Sequence, residues 1–360
     1  MGSKQKPYGT KIRLTRTLRI AYPPGSGQVV LRTDLDWDEN IEPASVTGEG
    51  ISTFKVEACH PFLYFKPCLL VDGQLHWAKG DNQLLAMTEN DPRISYPYFF
   101  GSDCGRFSPL ITFCSPILGR KHRARVYLPP GYDENTLAQY PVAFLQDGQN
   151  LFFPEEAFQG RDWGLDSTHW ELHSMGVVED MILVGLYSGG DRMKEYTKPG
   201  YELYGRSLVE EVVPEVEAKL RVLRGRRYRS VWGSSLGGVV SFYTVWQYPD
   251  TFGAAVCMSS TFSRHDDLIE RVLSEDPPDV AFYLDSGWPG DNYETTVGMA
   301  MALISRGWEW GHNLFHLVYP HARHSETDWG MRLYVPLQVI AGSVPRYSRV
   351  VSPVLRERAR

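Results

Sequence analysis

The pattern of apolar and polar positions changes character near residue 118. Before that point it has period two. Thr53-Phe54-Lys55-Val56-Glu57-Ala58 reads as a half-buried strand, with one face to a core and one to water. Residues 62–66, 68–71 and 74–77 continue the pattern. Asp72-Gly73 between the last two predicts a tight hairpin turn, which requires positive φ at both central residues. No long helical periodicity interrupts this half. A small β-sandwich of immunoglobulin-like architecture is expected over residues 1–115.

Beyond residue 118, short apolar runs alternate with amphipathic ones. Runs at 125–128, 141–145, 181–186, 230–232, 254–258, 280–284 and 314–319 predict strands, and 207–221, 239–248 and 295–306 predict helices. Strands apolar on both faces and separated by helices imply a mostly parallel sheet covered on both sides. Residues 116–345 are therefore expected to form an α/β domain. The Gly- and Pro-punctuated stretch 94–118 reads as the linker into it, and 346–360 as a basic tail.

The chain has 360 residues, 42% hydrophobic and 22% charged, with no low-complexity tract, which excludes a disordered polymer. No run approaches the ~18 apolar residues of a membrane span. Residues 1–20 have neither an apolar core nor a small-residue cleavage site, so a cytoplasmic location is expected. The basic ends, 1–20 and 346–360, carry +6 and +4, which leaves −16 on the interior against a net −6. A body that acidic does not fit a nucleic-acid binder. The five cysteines form no C-x-x-C pair, so reduced, mostly buried thiols are expected, with a Cys59–Cys68 bridge left open.

Gly233-Ser234-Ser235-Leu236-Gly237 matches G-x-S-x-G, with strand residues before it and Gly238-Val239-Val240-Ser241-Phe242 opening a helix after it. In that context the central serine, Ser235, is lifted above the sheet as a nucleophile, and the flanking glycines are expected to permit the strained turn. A base and an acid should follow at the C-terminal ends of later strands, in the order acid then histidine. Asp285 and Asp291 lie after the strand at 280–284. Of ten histidines, His321 and His324 alone follow the strand at 314–319. An oxyanion needs two N–H donors. Leu236, after the nucleophile, is one candidate, and Gln149 in the Gln146-Asp147-Gly148-Gln149-Asn150 loop is the other.

The stretches Val126–Tyr132, Leu145–Phe152, Arg192–Thr197, Gly233–Gly238, Tyr283–Gly287 and His324–Trp329 together resemble the putative-esterase branch of the α/β-hydrolase fold. That branch includes siderophore (enterochelin) esterases, feruloyl esterases, S-formylglutathione hydrolases and mycolyltransferases. The resemblance implies an α/β-hydrolase fold and serine-dependent carboxylic-ester hydrolysis. In relatives the catalytic histidine opens an H-x-E-x-x-W-like stretch, which maps to His324. The family acid lies a few residues past the strand-ending glycine, which maps to Asp291. The preceding sandwich resembles the N-terminal domain of siderophore esterases.

Arg192 and Glu195, after the strand at 181–186, and Trp288, beside Asp291, are candidate substrate-binding residues. His169 and His173 stand at i and i+4, but the H-E-x-x-H order of a zinc protease is absent, so no metal is expected. Phe62, Tyr64, Phe65 and Trp77 are expected in the sandwich core. No cofactor is implied. The expected partner is a small-molecule or oligomeric ester, with no nucleic acid or membrane, and a homo-oligomer stays open. An acyltransferase and a non-catalytic binding protein on the same fold are the alternatives.

Overall fold

The computed structural model describes residues 13–88 and 93–342, so the basic segment 346–360 and the first twelve residues lie outside it. Among the described residues no helix is long and apolar enough to cross a membrane. The chain divides into two compact units, Met1–Cys104 with Pro130–Ala138, and Gly105–Pro129 with Gln139–Arg360.

The first unit is a β-sandwich. Its strands are β1 (Leu14–Ala21), β2 (Gln28–Thr33), β3 (Asp36–Ile41), β4 (Ser45–Val46), β5 (Ile51–Ala58), β6 (Phe62–Val71), β7 (Gln74–Trp77), β8 (Gln83–Ala86) and β9 (Arg93–Ser95). One sheet runs β4-β5-β1-β9. The other runs β3-β2-β6-β7, with β8 also on β6. Register sets Leu18 opposite Phe54, and these two pack with Leu31, Phe65 and Leu69 of the second sheet into one core. Asp72 (φ 49°) and Gly73 (φ 80°) make the β6–β7 turn as the sequence predicts.

Two expectations fail here. Of the four aromatics assigned to the core, only Phe65 is buried, whereas Phe62, Tyr64 and Trp77 are exposed. The two-residue period puts 62 and 64 on the face opposite 63 and 65. Cys59 and Cys68 are both free, and three of the five thiols (Cys59, Cys104 and Cys114) are exposed. Cys59 is exposed just after β5, whereas Cys68 is buried on β6.

The boundary also moves. β10 (Arg106–Phe107) and β11 (Ile111–Ser115) pair antiparallel with β12 (Arg120–Leu128), so residues 105–115 belong to the second unit. Pro130–Ala138 in turn belongs to the first. There the Glu134 carboxylate accepts the N–H groups of Phe99 (2.6 Å), Phe100 (2.9 Å) and Gly101 (2.6 Å) and the Tyr22 hydroxyl (2.9 Å). Asn135 Nδ2 donates to Ala21 O and Pro97 O. Such long-range bonds leave no periodic trace in the sequence.

The second unit continues with β13 (Val142–Gln146), β14 (Ile182–Tyr187), β15 (Arg229–Ser234), β16 (Ala254–Met258), β17 (Ala281–Trp288) and β18 (Leu314–Pro320). Its helices are α1 (Leu165–Ser174), α2 (Arg192–Tyr196), α3 (Gly200–Ser207), α4 (Val213–Lys219), α5 (Leu236–Gln247), α6 (Leu268–Ser274), α7 (Tyr293–Ser305), α8 (Glu326–Arg332) and α9 (Tyr334–Ala341). The helix expected at 207–221 is interrupted by a wide turn at Leu208–Val212 just before Pro214. The sheet order is β10-β12-β14-β13-β15-β16-β17-β18, parallel from β14 onward and antiparallel at β12, the α/β-hydrolase arrangement. β13 is followed by β14 on one side and flanked by β15 on the other. The C-terminal ends of β13 and β15 therefore border the crevice at a topological switch point.

Candidate active site

Ser235 joins β15 to α5 with φ 55° and ψ −124°, a region that costs a non-glycine residue about 1–3 kcal/mol. The strain sits on the serine itself. The glycines serve close approach instead: a Cβ on Gly233 would lie 2.4 Å from the Gly237 backbone, and one on Gly238 would lie 1.9 Å from Ser260 Oγ. The Ser235 N–H donates to Met258 O, which ties the turn to β16.

His324 reaches Ser235 and Asp291 together. Its Nε2 is 2.9 Å from Ser235 Oγ, and its Nδ1 is 2.7 Å from Asp291 Oδ1. Asp291 receives three further donors. Asn292 N–H donates to Oδ1 (2.9 Å), and Gly287 N–H (2.7 Å) and Ser259 Oγ (2.5 Å) donate to Oδ2. The direction of the last bond is forced. Trp329 Nε1 and Arg332 Nη2, which can only donate, occupy both lone pairs of Ser259 Oγ at 2.9 and 2.5 Å, leaving its one proton for Asp291. Burial raises the Asp291 carboxyl, but the bonds from His324, Ser259, Gly287 and Asn292 outweigh it and hold the group well below the usual carboxylate range. An ionised Asp291 accepts at every position, so His324 Nδ1 carries the proton and Nε2 presents a lone pair to the serine hydroxyl.

Asp285 goes elsewhere. It is fully buried, 2.9 Å from Arg332 Nη2, and accepts Tyr283 OH (3.0 Å) and the Ser259 N–H (3.2 Å). Burial pushes it up to about 6, against the opposing pull of Arg332 and Tyr283. His321, the other candidate histidine, adopts φ 67° and donates its N–H to Trp288 O.

After β13, Gly148–Asn150 forms a single tight turn entered by Asp147 at φ 55°. A Cβ on Gly148 would lie 2.3 Å from the Gly185 backbone, so the glycine admits the neighbouring strand β14. The Gln149 amide clasps Ser188 with both atoms, Nε2 to Oγ at 2.8 Å and Oε1 from the backbone N–H at 3.1 Å. Leu236 is the first residue of α5, where the N–H has no carbonyl one turn back to bond. Arg192 forks onto both oxygens of Asp147 (2.6 and 2.7 Å). Glu195 is not its partner: both Glu195 oxygens bind Arg120 of β12 at 2.5 Å, and the side chain is buried. Glu195 therefore braces β12 through Arg120. Trp288, half exposed, ends β17.

Glu326 Oε1 accepts Asn150 Nδ2 at 2.7 Å, joining the loop after β18 to the loop after β13. Burial, with the charge of Asp147 adding to it, raises this carboxyl to about 7 against the pull of Arg192. His169 is buried with Nε2 on Glu179 O, and His173 lies beside Asp180. Ser259 and Arg332 escaped the sequence reading. The available signal is the spacing of Trp329 and Arg332, which three residues apart share the helix face turned to Ser259.

A family model described as putative esterase matches residues 115–338. Among curated proteins, the uncharacterized protein YbbA of Bacillus subtilis (strain 168) is 27% identical over 150 residues, 39% of this chain and 57% of YbbA. The chain thus spans a little over half the length of that relative. Among solved structures, a ferulic acid esterase matches at 21% identity and TM-score 0.55, over 66% of this chain and 98% of its own. The enterobactin esterase of Shigella flexneri, solved in the presence of enterobactin, matches at 14% identity and TM-score 0.53, over 91% of this chain and 92% of its own. These two likenesses show a shared fold. The family match, over well more than half of the chain, shows more: the chain belongs to the putative esterase family.

Proposed function

We propose that the protein is a serine esterase working through an acyl-enzyme, with Ser235, His324 and Asp291 as its triad. The observation that carries this reading is the position of His324 between Ser235 Oγ and Asp291 Oδ1, with the tautomer fixed by the donors around Asp291. Ser235 Oγ attacks the ester carbonyl carbon while its proton passes to His324 Nε2, and Asp291 holds the resulting imidazolium. The N–H groups of Leu236 and Gln149 take the oxyanion. Collapse breaks the acyl C–O bond, and the leaving alkoxide receives the proton from His324. Water, deprotonated in turn by His324, then attacks the acyl carbon, and His324 returns that proton to Ser235 Oγ as the acyl-Ser235 bond breaks. The relatives named ferulic acid esterase and enterobactin esterase support a screen of hydroxycinnamoyl esters and siderophore lactones, with short-chain esters beside them. Trp288 and the exposed part of Arg192 are the side chains proposed to meet the substrate.

A fluorophosphonate probe should label Ser235 and nothing in Ser235→Ala, and that variant should lose about 10⁴-fold or more in kcat. Labelling at another residue, or near-native turnover by Ser235→Ala, sinks the reading.

A further inference from the structure

Arg332 is the buried cation beneath the triad, 2% exposed at the end of α8. One atom, Nη2, faces three acceptors: Ser259 Oγ at 2.5 Å, Asp285 Oδ1 at 2.9 Å and Asp291 Oδ2 at 3.8 Å. As a donor it is useful, because it helps force the Ser259 proton onto Asp291. As a charge it is a hazard. An unbalanced cation this near would compete with the imidazolium for the one carboxylate that His324 depends on.

We propose that Asp285 is a positioning residue that cancels the charge of Arg332, leaving the whole negative charge of Asp291 to His324. This rests on the triad reading above.

The other groups facing Asp285 carry no charge near neutral pH. Tyr283 on β17 donates to its Oδ2. Tyr319 on β18 lies 3.2 Å from the Tyr283 hydroxyl with its ring 5.3 Å from the Arg332 guanidinium. Cys257 on the neighbouring strand β16, paired with Leu284, lies within electrostatic reach of it. Burial pushes the Cys257 thiol and the Tyr283 hydroxyl far up and the Tyr319 hydroxyl up to about 12. Arg332, Asp285 and Asp291 then sum to −1, and the proton arriving on His324 brings the cluster to neutrality. A proton on Asp285 would instead leave the imidazolium uncompensated.

The test is the pH profile of kcat/KM for p-nitrophenyl acetate, using the full chain. In Asp285→Asn, the unbalanced Arg332 disfavours the imidazolium. The acid limb should move down by about one pH unit, and kcat should fall about tenfold with KM little changed. Asp285→Asn combined with Arg332→Gln removes the stray charge while keeping a donor for Ser259, and should return the limb to its wild-type position. Asp285→Asn with Arg332→Lys keeps the charge and should stay shifted. A purely structural ion pair would lower the melting temperature of Asp285→Asn without moving its limb, and that result overturns the proposal. Loss of activity in Asp285→Asn as deep as in Ser235→Ala also overturns it, because Asp285 would then itself be the triad acid. If Asp285→Asn does not fold, the two double variants decide: a limb displaced downward with Arg332→Lys but not with Arg332→Gln supports charge cancellation, and equal limbs refute it. Failure of the triad reading is separately visible, as wild-type protein whose Ser235 the fluorophosphonate does not label.

Discussion

The two units bury charged side chains for different ends. In the sandwich, the buried Lys66 ammonium donates to a backbone carbonyl, Gly80 O. In the second unit, the buried Arg332 and the partly exposed Arg120 and Arg192 pair with the carboxylates of Asp285, Glu195 and Asp147. Carboxylates divide the same way. Glu134 of the first unit gathers three backbone N–H groups and a tyrosine hydroxyl, closing off loop polarity. Asp291 of the second gathers the same number of donors, but one of them is a histidine. Burial of charge alone therefore marks no site. What marks one is a carboxylate whose donors include a group able to move its proton on.

Three measurements sharpen or break this contrast. The largest expected effect is on turnover in the hydrolase unit. Gln149→Ala removes both bonds to Ser188 that hold the turn bearing the proposed oxyanion donor. kcat should fall roughly 10- to 100-fold with KM little changed, short of the ~10²–10³ measured when a donor is removed outright. Unchanged kcat would take Gln149 out of the oxyanion site.

Next in size is Glu134→Ala, which strips the acceptor from four donors in the sandwich. It should cost about 2–3 kcal/mol of stability in urea unfolding, while kcat/KM on a small activated ester stays within about twofold. A large fall in kcat/KM from folded protein would erase the distinction drawn between Glu134 and Asp291.

The smallest effect belongs to Glu326, whose carboxyl is raised to about 7 in the folded protein. The folded state then holds this proton more tightly than the unfolded chain does. Its contribution to stability is fully present below the usual carboxylate range and is lost as pH rises through about 7. Glu326→Gln should remove that slope, an effect of about 1 kcal/mol between pH 5 and 8 after allowing for partial exposure. Parallel wild-type and variant curves of urea midpoint against pH would refute it.

Much of this was legible in the residues. Period-two alternation gave β5 and the Asp72-Gly73 hairpin, because a strand half in water must alternate and a primed turn must have positive φ. Near-continuous apolar runs gave β13 to β17, because a parallel sheet is covered on both faces. The elbow at Ser235 and the histidine after β18 followed from strand–turn–helix context. The burial of Phe62, Tyr64 and Trp77 was misjudged because hydrophobicity says how much an aromatic gains by burial, not which side of the strand it occupies. The unit boundary was misjudged because β10, β11 and Pro130–Ala138 choose their partners through pairings and hydrogen bonds between distant residues.

The sequence by itself determined the order of elements, the parallel sheet and the turn that presents Ser235. These depend on local periodicity and on which residues tolerate which φ and ψ, properties each short segment carries with it. Only the tertiary structure decided that Asp291 rather than Asp285 meets His324, that Glu195 braces Arg120, and that Ser259 and Arg332 stand behind Asp291. All three are choices among chemically equivalent partners. A carboxylate accepts from any donor within reach, so its assignment is fixed by distance and by the lone pairs its neighbours have already filled.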